Sequence, residues 1–529
     1  MLTSTMALGG MVVAPHHLAA QAGRDILREG GSAIEAMVAA AACIGVVYPH
    51  MNALGGDGFW LIHRPGHAPV AIDASGPAVA LADASFYKGD KTIATRGPKA
   101  ALTVAGTVAG WQVALDVAAA GQARVMPLER LLADAIRHAQ QGFAVTRSQA
   151  ELSFSKRHEL HDKPGFAPIY LRDGHAPRMG DIMRQPALAA SLQHLARHGL
   201  DDFYRGDLAR RIAEGLGAAG SPLRLADLAA YRAQLVTPLR LSLPDAQVFN
   251  LPPSTQGLAS LMILGLFQRL GVSEGEGFAH IHGLVEATKA AFQVRDKVVT
   301  DPGRVPGDPA LWLSPAKLDE LAATIDGARA APWPAPTQTG DTVWLGAIDR
   351  HGCAVSFIQS IFFEFGSGVV AGDTGILWQN RGSSFSLDPH ALNALEPGRK
   401  PFHTLNPALA LFHDGRVMPY GCMGGEGQPQ TQAALFTRYA QFGQNLQQAV
   451  SAPRWLLGRT WGETSTTLKL ENRFDSGLVA DLRASGHVVD VLDEGFSDTM
   501  GHAGALVRHQ NGMIEGAADP RSDGAACGV

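Results

Sequence analysis

The pattern of this chain changes abruptly at residue 342, and that change limits the folds it can adopt. Residues 328–340 (ARAAPWPAPTQTG) are rich in Pro, Ala and Thr and have neither helical nor strand periodicity, which predicts an exposed flexible linker. The β-type runs TVWLGAID and CAVSFIQSI follow, joined by Arg350-His351-Gly352, and predict a hairpin. Thr342 is therefore predicted to be the first residue of a strand that directly follows a linker without regular secondary structure.

Two more elements are predicted after this hairpin. In ALALFHDGRVMPYG, the Asp414-Gly415 pair supplies a turn between two apolar runs. The next stretch, GGEGQPQTQAALFTRYAQF, is a Gly-rich loop that leads into a helix. A linker, antiparallel strands and a helix in this order are typical of a sandwich whose nucleophile is the first residue of a strand. The 529 residues would suffice for several domains or for one intertwined unit.

The first half of the chain combines helices with a glycine loop. Periodicity predicts helices at His17–Arg28 and Ala33–Val47. The loop at residues 52–58 (NALGGDG) runs into the apolar strand FWLIH, whereas a phosphate-binding loop opens a helix, so a nucleotide site is not expected. From residue 128 to about 270 the pattern is mainly helical and is interpreted as scaffold or pocket wall.

Charge and hydropathy argue against two classes of partner. The formal charge is −5, with 44 Lys and Arg against 49 Asp and Glu, and no basic cluster alternates with aromatic residues, so nucleic acid is not expected. The most apolar run, residues 34–48, contains Glu35 and is shorter than the roughly 20 residues that span a bilayer, so a membrane is not expected either. The N-terminus lacks a basic region followed by a long apolar one, so we expect a cytoplasmic protein.

No cofactor or metal site is predicted. The sequence holds no G-x-S-x-G, H-E-x-x-H or Walker A motif. The pairs His16-His17 and His280-x-His282 lack a carboxylate or cysteine partner at ligand spacing, so no metal is assigned. The cysteines are scattered, which favours small core residues over disulfides or a zinc ribbon: Cys43, Cys353, Cys422 and Cys527.

Thr342 has a chemical use beyond starting a strand. A threonine hydroxyl is a poor nucleophile unless a base lies beside it, and a threonine at the first residue of a chain can use its own α-amine as that base. Such an amine titrates near ~7.7–8.0, so part of it is available as a base at neutral pH. Before cleavage the same hydroxyl would attack the carbonyl of Asp341, giving an ester that water resolves. On the residue pattern alone, a threonine that merely begins a strand remains the alternative.

Residues 340–385 resemble the start of the small subunit of gamma-glutamyltranspeptidases. Thr342 falls at the nucleophile position, and Asp349, Gly352 and the block FGSGVVAGDTGILWQN follow as in the family. The resemblance continues through GGSAIEAMVAAAACIGVVYPHMNALGGDGFWLIH, LPPSTQG, VEATKAAFQVRDKVVTDP and IEGAADPRSDGAA, and so covers nearly the whole chain. It implies that Thr342 is the nucleophile and that self-cleavage falls between Asp341 and Thr342.

The family resemblance also implies the fold class, an α+β four-layer αββα sandwich of the N-terminal-nucleophile hydrolase type with an added helical region in the large subunit. The large subunit would be residues 1–341 and the small subunit residues 342–529. They would stay associated as one intertwined catalytic domain, and a dimer of such heterodimers is an open option. The N–H groups of Gly424 and Gly425 would form an oxyanion hole. Ser360 matches a family threonine whose hydroxyl supports the nucleophile, and no cofactor is implied.

The residues that bind a glutamyl group in the family are replaced in this chain. The arginine that holds the α-carboxylate belongs to a segment that reads IDASGPAV here, where Ala74 or Ser75 stands. An α-amino acid would therefore lose its cation, and it would also lose the anion that holds its amine. The remaining replacements, all expected to bind substrate, are Ser384 for that aspartate, Arg381 for a glutamine, Phe362 for an asparagine, and His403 and Thr404 for paired serines.

Arg381 points to a substrate with its own carboxylate. A guanidinium can bind a carboxylate through two hydrogen bonds, and a charged hydrogen bond contributes about 1.5–3 kcal/mol. At the family's glutamine position Arg381 would lie near the reacting carbonyl, and Phe362 and Trp344 would shorten the pocket. The alternative is an internal salt bridge from Arg381 to Glu364 or Asp373.

The sequence thus predicts a self-cleaving amidohydrolase that acts on a small anionic amide. It looks most like the branch of the family that hydrolyses oxamate to oxalate and ammonia in purine (allantoin) breakdown, and oxamate is a short carboxylate joined to a primary amide. Two alternatives within the family are a γ-glutamyl hydrolase or transferase and an acylase for glutaryl groups. A third, of another class, is a ligand-binding protein that has lost catalysis.

Overall fold

The computed structural model describes residues 2–120, 125–333, 341–458 and 465–529, apart from the side chain of Asp341. The predicted linker lies for the most part outside these ranges, at 334–340. None of the described helices combines the length and hydropathy needed to cross a membrane. The cysteines are free thiols, three buried and one half-buried, in agreement with their prediction as small core residues.

The secondary structure alternates between short strands and helices along most of the chain. The strands are β1 (Thr5–Ala7), β2 (Gly10–Ala14), β3 (Asp57–His63), β4 (Val70–Ala74), β5 (Phe143–Ala144), β6 (Ile182–Met183), β7 (Gln234–Val236), β8 (Leu239–Ser242), β9 (Ala246–Asn250), β10 (Asp341–Asp349), β11 (Ala354–Phe362), β12 (Ala408–Phe412), β13 (Val417–Cys422), β14 (Trp455–Leu457), β15 (Leu468–Leu470), β16 (Val489–Val491), β17 (Ala503–Arg508), β18 (Ile514–Ala518) and β19 (Ala525–Gly528). The α-helices are α1 (His17–Arg28), α2 (Ala33–Val47), α3 (Thr107–Ala119), α4 (Leu128–Gln141), α5 (Arg147–Leu160), α6 (Phe166–Tyr170), α7 (Pro186–His198), α8 (Asp202–Arg205), α9 (Asp207–Ala219), α10 (Leu225–Ala230), α11 (Gly257–Arg269), α12 (Phe278–Val298), α13 (Pro315–Ala322), α14 (Gly427–Phe436), α15 (Leu446–Ser451) and α16 (Ser476–Ala484).

Two antiparallel sheets form the centre of the molecule. Within the described ranges, one sheet has the strand order β1-β18-β17-β13-β12-β9-β8 and the other the order β19-β2-β10-β11-β3-β4-β7. Both hairpins predicted from the sequence are confirmed, since β10 pairs with β11 and β12 pairs with β13, each pair antiparallel. The strand β10, which carries Thr342, is an interior strand of its sheet.

The sheets pack face to face, and helices cover their outer faces. The layer between the sheets is apolar and includes Met11, Phe59, Trp344, Ile358 and Leu506. Helices α1 and α2 pack on the sheet that contains β10, while α11 and α14 pack on the other sheet. Every residue of α2 is buried, so this helix is apolar around its whole circumference. The result is the predicted four-layer αββα sandwich.

The segments on either side of residue 342 share both sheets. Strands β10 and β11 lie between β2 and β3, with Gly346 opposite Val13 and Ser360 opposite Asp57. The last strand, β19, pairs with β2 on the same sheet. Cleavage before Thr342 would therefore leave two pieces that remain joined by hydrogen bonds between strands of both sheets. Separating the two pieces would require both sheets to come apart.

The interpretation of residues 128 to about 270 as mainly helical was wrong at one point. Helices α4 to α10 confirm the added helical region, but α10 ends at Ala230 and is followed by three strands, β7, β8 and β9. The burial of β8 alternates, with Leu239 and Leu241 inside, as in a sheet with one covered face. The segment LADLAAYRAQL has a helical pattern in isolation, but pairing of β7 with β4 overrides it after the first turns.

Candidate active site

Thr342 lies at a bulge near the start of β10. Asp341 is opposite Phe362 whereas Val343 is opposite Gln359, so the register shifts by one residue at Thr342. A β-bulge changes the direction of the side chain it carries and is frequent beside active sites. The Thr342 side chain is completely buried. Its hydroxyl is thus held inside the protein, at the start of an interior strand.

Gln428 of α14 fixes the orientation of this hydroxyl. Its Nε2 donates a hydrogen bond to Thr342 Oγ1 at 3.3 Å. The amide oxygen of Gln428 accepts hydrogen bonds from Asn406, from the backbone N–H at 3.2 Å and from Nδ2 at 3.1 Å. The amide therefore cannot be reversed without losing both bonds, and it always presents a donor to Thr342. With a lone pair so occupied, the hydroxyl proton remains available for transfer to a base.

A glycine turn precedes α14. Gly424 has φ +115° and Gly425 has φ +52°, and the first of these conformations is accessible only to glycine. Among the described residues, neither N–H group donates a hydrogen bond, although the following residues are bonded within the turn through Gly427 N–H and Gly424 O at 2.8 Å. Two unpaired backbone donors at the start of a helix are a suitable site for a negative oxygen.

Buried side chains hold this turn from behind. Gln256 Nε2 donates to Gly425 O at 2.8 Å and to Thr404 O at 2.7 Å, and so joins the glycine turn to the segment after Phe402. Arg295 of α12 donates to Gln256 Oε1 at 3.1 Å and pairs with Glu426 Oε1 at 2.8 Å. The side chains of this ion pair are each only 1% exposed. Such a buried hydrogen-bond network keeps neighbouring groups in one arrangement.

Ser360 and Phe362 face the start of β10 from the neighbouring strand. Ser360 Oγ accepts a hydrogen bond from the Phe362 N–H at 2.8 Å. This bond closes a turn in which Phe362 has φ +81°, which is rare for a bulky residue. Ser360 therefore shapes the strand end beside Thr342, in addition to the supporting role that the family resemblance implies for its hydroxyl.

Arg381 is a completely buried cation without an anionic partner at close range. It lies in a short 3-10 turn at Arg381–Ser384, with its side chain 1% exposed. Among the described residues its only hydrogen bond runs from Nη1 to Thr404 Oγ1 at 3.5 Å, and the Phe362 ring lies beneath its guanidinium carbon at 3.8 Å. No ion pair within 4.0 Å involves Arg381 in the described part of the chain. Burial lowers the pKa of Arg381 to about 9, although the charge of Asp57 raises it.

The structure contradicts the internal salt bridge that the sequence left open for Arg381. Glu364 pairs with Arg96 at 3.5 Å and with Lys156 at 3.9 Å. Asp373 pairs with Arg211 at 3.0 Å. Both candidate acids are thus neutralised by other cations. A guanidinium has five N–H donors, and most of those on Arg381 have no acceptor among the described residues.

His403 and Asp57 form a second buried pair beside Arg381. Asp57 Oδ1 accepts the N–H groups of Gly76 at 3.1 Å and Gly106 at 3.0 Å, and its Oδ2 lies 3.5 Å from His403 Nε2. Burial raises the pKa of Asp57 to about 7, against the opposing effects of Gln379 and Arg381. Burial, together with the charge of Arg381, lowers the pKa of His403 well below its usual value, so this ring is neutral.

Ser384 separates this buried group from a cavity. Its side chain is 9% exposed, and its Oγ donates to Phe402 O at 3.3 Å. The cavity has a volume of about 510 Å³, and its walls include Ser384, Phe402, Arg295, Asp296 and Asn393. Phe402, in the cavity wall, immediately precedes His403 and Thr404 in the chain, so the cavity lies close to the residues predicted to bind substrate.

Two further expectations have opposite outcomes. The segment that holds the glutamyl-binding arginine in the family carries no free cation here, because Ser75 Oγ bonds Asp73 and the nearby Lys400 pairs with Asp73 Oδ2 at 2.7 Å. Trp344 was expected to shorten the pocket, and that was wrong. Its ring packs between the sheets and Nε1 donates to Ser356 Oγ at 2.9 Å, because the bulge at Thr342 breaks the regular alternation of faces along β10.

Several residues of this site were not singled out in the sequence. Asp57 was read only as part of a glycine loop, and Gln256 only as part of a family motif. Gln428 was read as one of the polar residues of an ordinary helix, although α14 proves to be buried at every position. A helix whose glutamines repeat at alternate positions beside a glycine turn was the available signal. Its meaning depends on burial, which the pattern does not reveal.

A histidine group elsewhere was also missed. The ligand atoms of His282, Glu286 and His487 lie within 4.8 Å of one another, which brings an i, i+4 pair on α12 to a distant histidine. Lys289 Nζ lies 2.6 Å from Glu286 Oε1 and supplies the positive charge there. His282 Nδ1 and His487 Nε2 lie 2.9 Å apart and can share a proton. The group is therefore satisfied as a hydrogen-bond network.

A four-layer αββα sandwich with a buried threonine at the start of an interior strand, hydrogen-bonded by the helix that follows a glycine turn, defines an N-terminal-nucleophile hydrolase. The chain belongs to the gamma-glutamyltranspeptidase family, whose model matches residues 19–529. The protein is accordingly an enzyme that acts on amide C–N bonds.

Known proteins similar to this chain include members of the family with different activities. It is 58% identical over 528 residues to the oxamate amidohydrolase proenzyme of Klebsiella pneumoniae, covering 100% of both sequences. It is 30% identical to the glutathione hydrolase proenzyme of Escherichia coli, over 97% of this chain and 90% of that protein. The crystal structure of cephalosporin acylase from Bacillus halodurans superposes with a TM-score of 0.91 at 31% identity, covering 100% of this chain and 97% of that one.

Proposed function

We propose that this enzyme hydrolyses oxamate to oxalate and ammonia, after self-cleavage between Asp341 and Thr342. The observation that carries the proposal is Arg381, a buried guanidinium with one long hydrogen bond and no ion-pair partner within 4.0 Å among the described residues. Burying an unpaired charge costs several kcal/mol, so a ligand whose carboxylate pairs with Arg381 offsets part of that cost. The 58% identity to an oxamate amidohydrolase proenzyme supports the same substrate.

The proposed reaction uses the geometry around Thr342. The α-amine released by cleavage takes the proton of Thr342 Oγ1, which then attacks the amide carbonyl of the substrate. The negative oxygen of the tetrahedral intermediate accepts the N–H groups of Gly424 and Gly425. Ammonia leaves with the proton from the α-amine, and an oxalyl ester remains on Thr342. Water then hydrolyses this ester and restores the hydroxyl.

Binding in this proposal is divided between two sides of the substrate. Arg381 and Thr404 hold the carboxylate, and Phe362 forms an apolar floor under the guanidinium. His403 is neutral and lies beside Asp57, while Ser384 lines the adjacent cavity. The substrate needs no ammonium group, because Ser384 provides no charge to bind one.

An ammonia-release assay tests the proposal directly. Purified enzyme is incubated with oxamate, with a γ-glutamyl anilide and with a glutaryl amide, and each product is measured. Ammonia from oxamate with little release from the other two supports the proposal. Rapid anilide or glutaryl turnover without ammonia from oxamate would assign the site to a glutathione-hydrolase or acylase activity. Absence of all three would favour a ligand-binding protein.

Self-cleavage has its own readout. The intact chain has a mass of 55.8 kDa, and the proposal requires two polypeptides, 1–341 and 342–529, that separate only under denaturing conditions. Mass spectrometry of both pieces locates the cut. The association of such pairs into a dimer and a cytoplasmic location stay predictions, which the mass in solution and cell fractionation would test.

A further inference from the structure

Asp57 is a buried acid near Arg381, and the requirements of the fold alone do not explain an acid at this position. Its Oδ1 accepts two backbone N–H groups and so keeps the carboxylate in one orientation, at the first residue of β3. Its Oδ2 lies 3.5 Å from a histidine that cannot neutralise it, because His403 is uncharged. The charge of Asp57 acts on Arg381, although the two side chains do not form a direct ion pair.

The charges of Arg381, Asp57 and His403 determine which anions can bind beside Arg381. With Arg381 positive and Asp57 protonated, the pocket carries one positive charge, and a ligand with one negative charge makes it neutral. A second negative charge on the ligand has no partner among the described residues around Arg381. Once Asp57 is ionised it repels every negative charge nearby, so it opposes a ligand with two carboxylates more than a ligand with one. Charges buried a few ångströms apart interact far more strongly than exposed charges do, because water does not screen them.

We infer that Asp57 selects the charge of the ligand: it admits a monoanionic amide and repels the dianionic product formed from it. This inference rests on the proposed function, in which the acyl group carries a single carboxylate until the ester is cleaved. Hydrolysis breaks the ester bond, adds hydroxide to the acyl carbon and returns a proton to Thr342 Oγ1. The new carboxylic acid then ionises, and its proton passes to the α-amine or to water. The product therefore gains a negative charge at the moment when it must leave.

Asp57 acts through Arg381 and is a specificity-determining residue, since its Oδ1 is bonded to the backbone N–H groups of Gly76 and Gly106 and its Oδ2 lies towards His403. The groups that face it are Arg381, the neutral His403, and two tyrosines, Tyr204 and Tyr231. Burial raises the pKa of both phenols, so they stay neutral at physiological pH. Asp57 is consequently the group of this set that changes charge between about pH 6 and 8.

Binding of two small anions tests the inference without relying on turnover. Pyruvate has one carboxylate beside a neutral carbonyl, as oxamate has, whereas oxalate has two. Calorimetric titration of the processed enzyme at about pH 8 should give weaker binding of oxalate than of pyruvate, by roughly 10-fold or more. Asp57→Asn keeps an oxygen that can accept both backbone N–H groups, and it should remove this preference by strengthening oxalate binding.

A matched control is Asp349→Asn. Asp349 is another buried acid that accepts backbone N–H groups, at the opposite end of β10 from Thr342. This control should leave the ratio of the two dissociation constants unchanged. The wild-type enzyme provides a second measurement that needs no folded variant: lowering the pH from about 8 to 6 should strengthen oxalate binding more than pyruvate binding, because Asp57 becomes protonated.

The outcomes separate this inference from the proposed substrate. A ratio that is the same in wild type and Asp57→Asn, or a wild-type ratio that does not depend on pH, would overturn charge selection by Asp57. Failure of both anions to bind would overturn it as well. A ratio that shifts as expected in an enzyme that releases no ammonia from oxamate would support charge selection while refuting the substrate.

Discussion

The guanidinium of Arg381 lies over the ring of Phe362, with its central carbon 3.8 Å from the ring centroid. A desolvated cation over an aromatic face gains about 2 kcal/mol, which offsets part of the cost of burying Arg381. Phe362 reaches this position with φ +81°, a conformation that costs about 1–3 kcal/mol. Arg96 holds the same loop by donating to Glu364 O and Gly366 O, both at 2.6 Å. The fold thus maintains a strained residue to support an unpaired cation.

Replacing Arg381 tests the carboxylate assignment. Arg381→Gln restores the residue type of the glutamyl-specific enzymes, removes the charge and should raise KM for oxamate by about 10- to 100-fold, the equivalent of a lost charged hydrogen bond of ~1.5–3 kcal/mol. Arg381→Lys should give an intermediate KM, since a lysine keeps the charge without the two-pronged geometry. Self-cleavage should proceed normally in both variants. Unchanged oxamate kinetics in the glutamine variant would show that the substrate carboxylate binds elsewhere.

Phe362→Asn tests whether the aromatic ring supports Arg381, because the substitution removes the ring and leaves the charge of Arg381 in place. Asparagine adopts positive φ more readily than phenylalanine, which offsets only part of the free energy of unfolding lost with the buried ring and its contact to Arg381, so the variant should fold with a lower melting temperature. The guanidinium loses its aromatic floor, and KM for oxamate should rise several-fold while kcat changes little. Phe363→Leu, beside it in the same loop, serves as the control for general loosening. A variant with wild-type KM would mean that the ring does not position Arg381.

Thr342 carries the predicted chemistry of both maturation and turnover. Thr342→Ala should give one uncut chain without activity, because no hydroxyl remains to attack either Asp341 or substrate. Thr342→Ser retains a hydroxyl and the bond from Gln428, and it should cleave itself and turn over substrate at reduced rates. Denaturing electrophoresis and ammonia release measure the two steps separately. Cleavage of the alanine variant at the same bond would exclude Thr342 as the agent of self-cleavage.

Local pattern predicted the covering helices well. Helices α1 and α2 have the bounds expected from periodicity, because the apolar repeat ends at clear signals. Ser32 and Glu35 form a capping box at the start of α2, in which each side chain bonds the other's backbone N–H. The hairpin turns were equally recognisable, since short turns between apolar runs depend on a few adjacent residues.

The site itself depends on contacts that no local pattern contains. Asp57 and His403 are far apart in the chain: Asp57 begins β3 in one sheet, and His403 forms a bridge with Thr255 beside the other, so the two meet only because the sheets pack face to face. Family positions were enough to propose Arg381 as a binding residue. They could not predict that Arg381 has no ion-pair partner within 4.0 Å among the described residues. Trp344 was misplaced for the same reason, because a one-residue change of register decides which face of a strand a side chain occupies.

The oxyanion assignment predicts unequal effects for the two neighbouring glycines. Gly424→Ala forces a side chain into φ +115°, which only glycine adopts readily, so the turn must change shape and misplace its N–H groups. Loss of one such donor lowers kcat by about 100-fold or more. Gly425 has φ +52°, a conformation that costs alanine about 1–2 kcal/mol, so Gly425→Ala should retain more activity than Gly424→Ala. Equal kcat in both variants would argue against this turn as the oxyanion hole.

The last prediction concerns stability at low pH. Asp519 is fully buried between Arg454 and Arg521, at 2.6 and 3.0 Å, and its Oδ2 also accepts the Ala503 N–H. Burial alone would raise the pKa of Asp519, but the two arginines lower it to about 2. A lowered folded-state pKa stabilises the protein above the unfolded value of ~3.9, and this contribution of about 2 kcal/mol disappears as the pH falls from there to about 2.

Asp519→Asn should therefore lower the thermal midpoint near neutral pH, since it removes the anion paired with buried Arg454 and one of the two anions paired with buried Arg521, which keeps Glu471 at 2.5 Å. Removing one partner of a buried ion pair costs about 3–5 kcal/mol. The difference between variant and wild type should shrink as the pH approaches about 2, where the wild-type carboxylate is protonated too. Both are best measured in the uncut Thr342→Ala background, in which unfolding does not separate two chains. Exposed Asp388→Asn is the control and should shift neither midpoint. A difference between Asp519→Asn and its parent that stays constant from pH 7 down to about 2 would mean that the two arginines do not depend on the charge of Asp519.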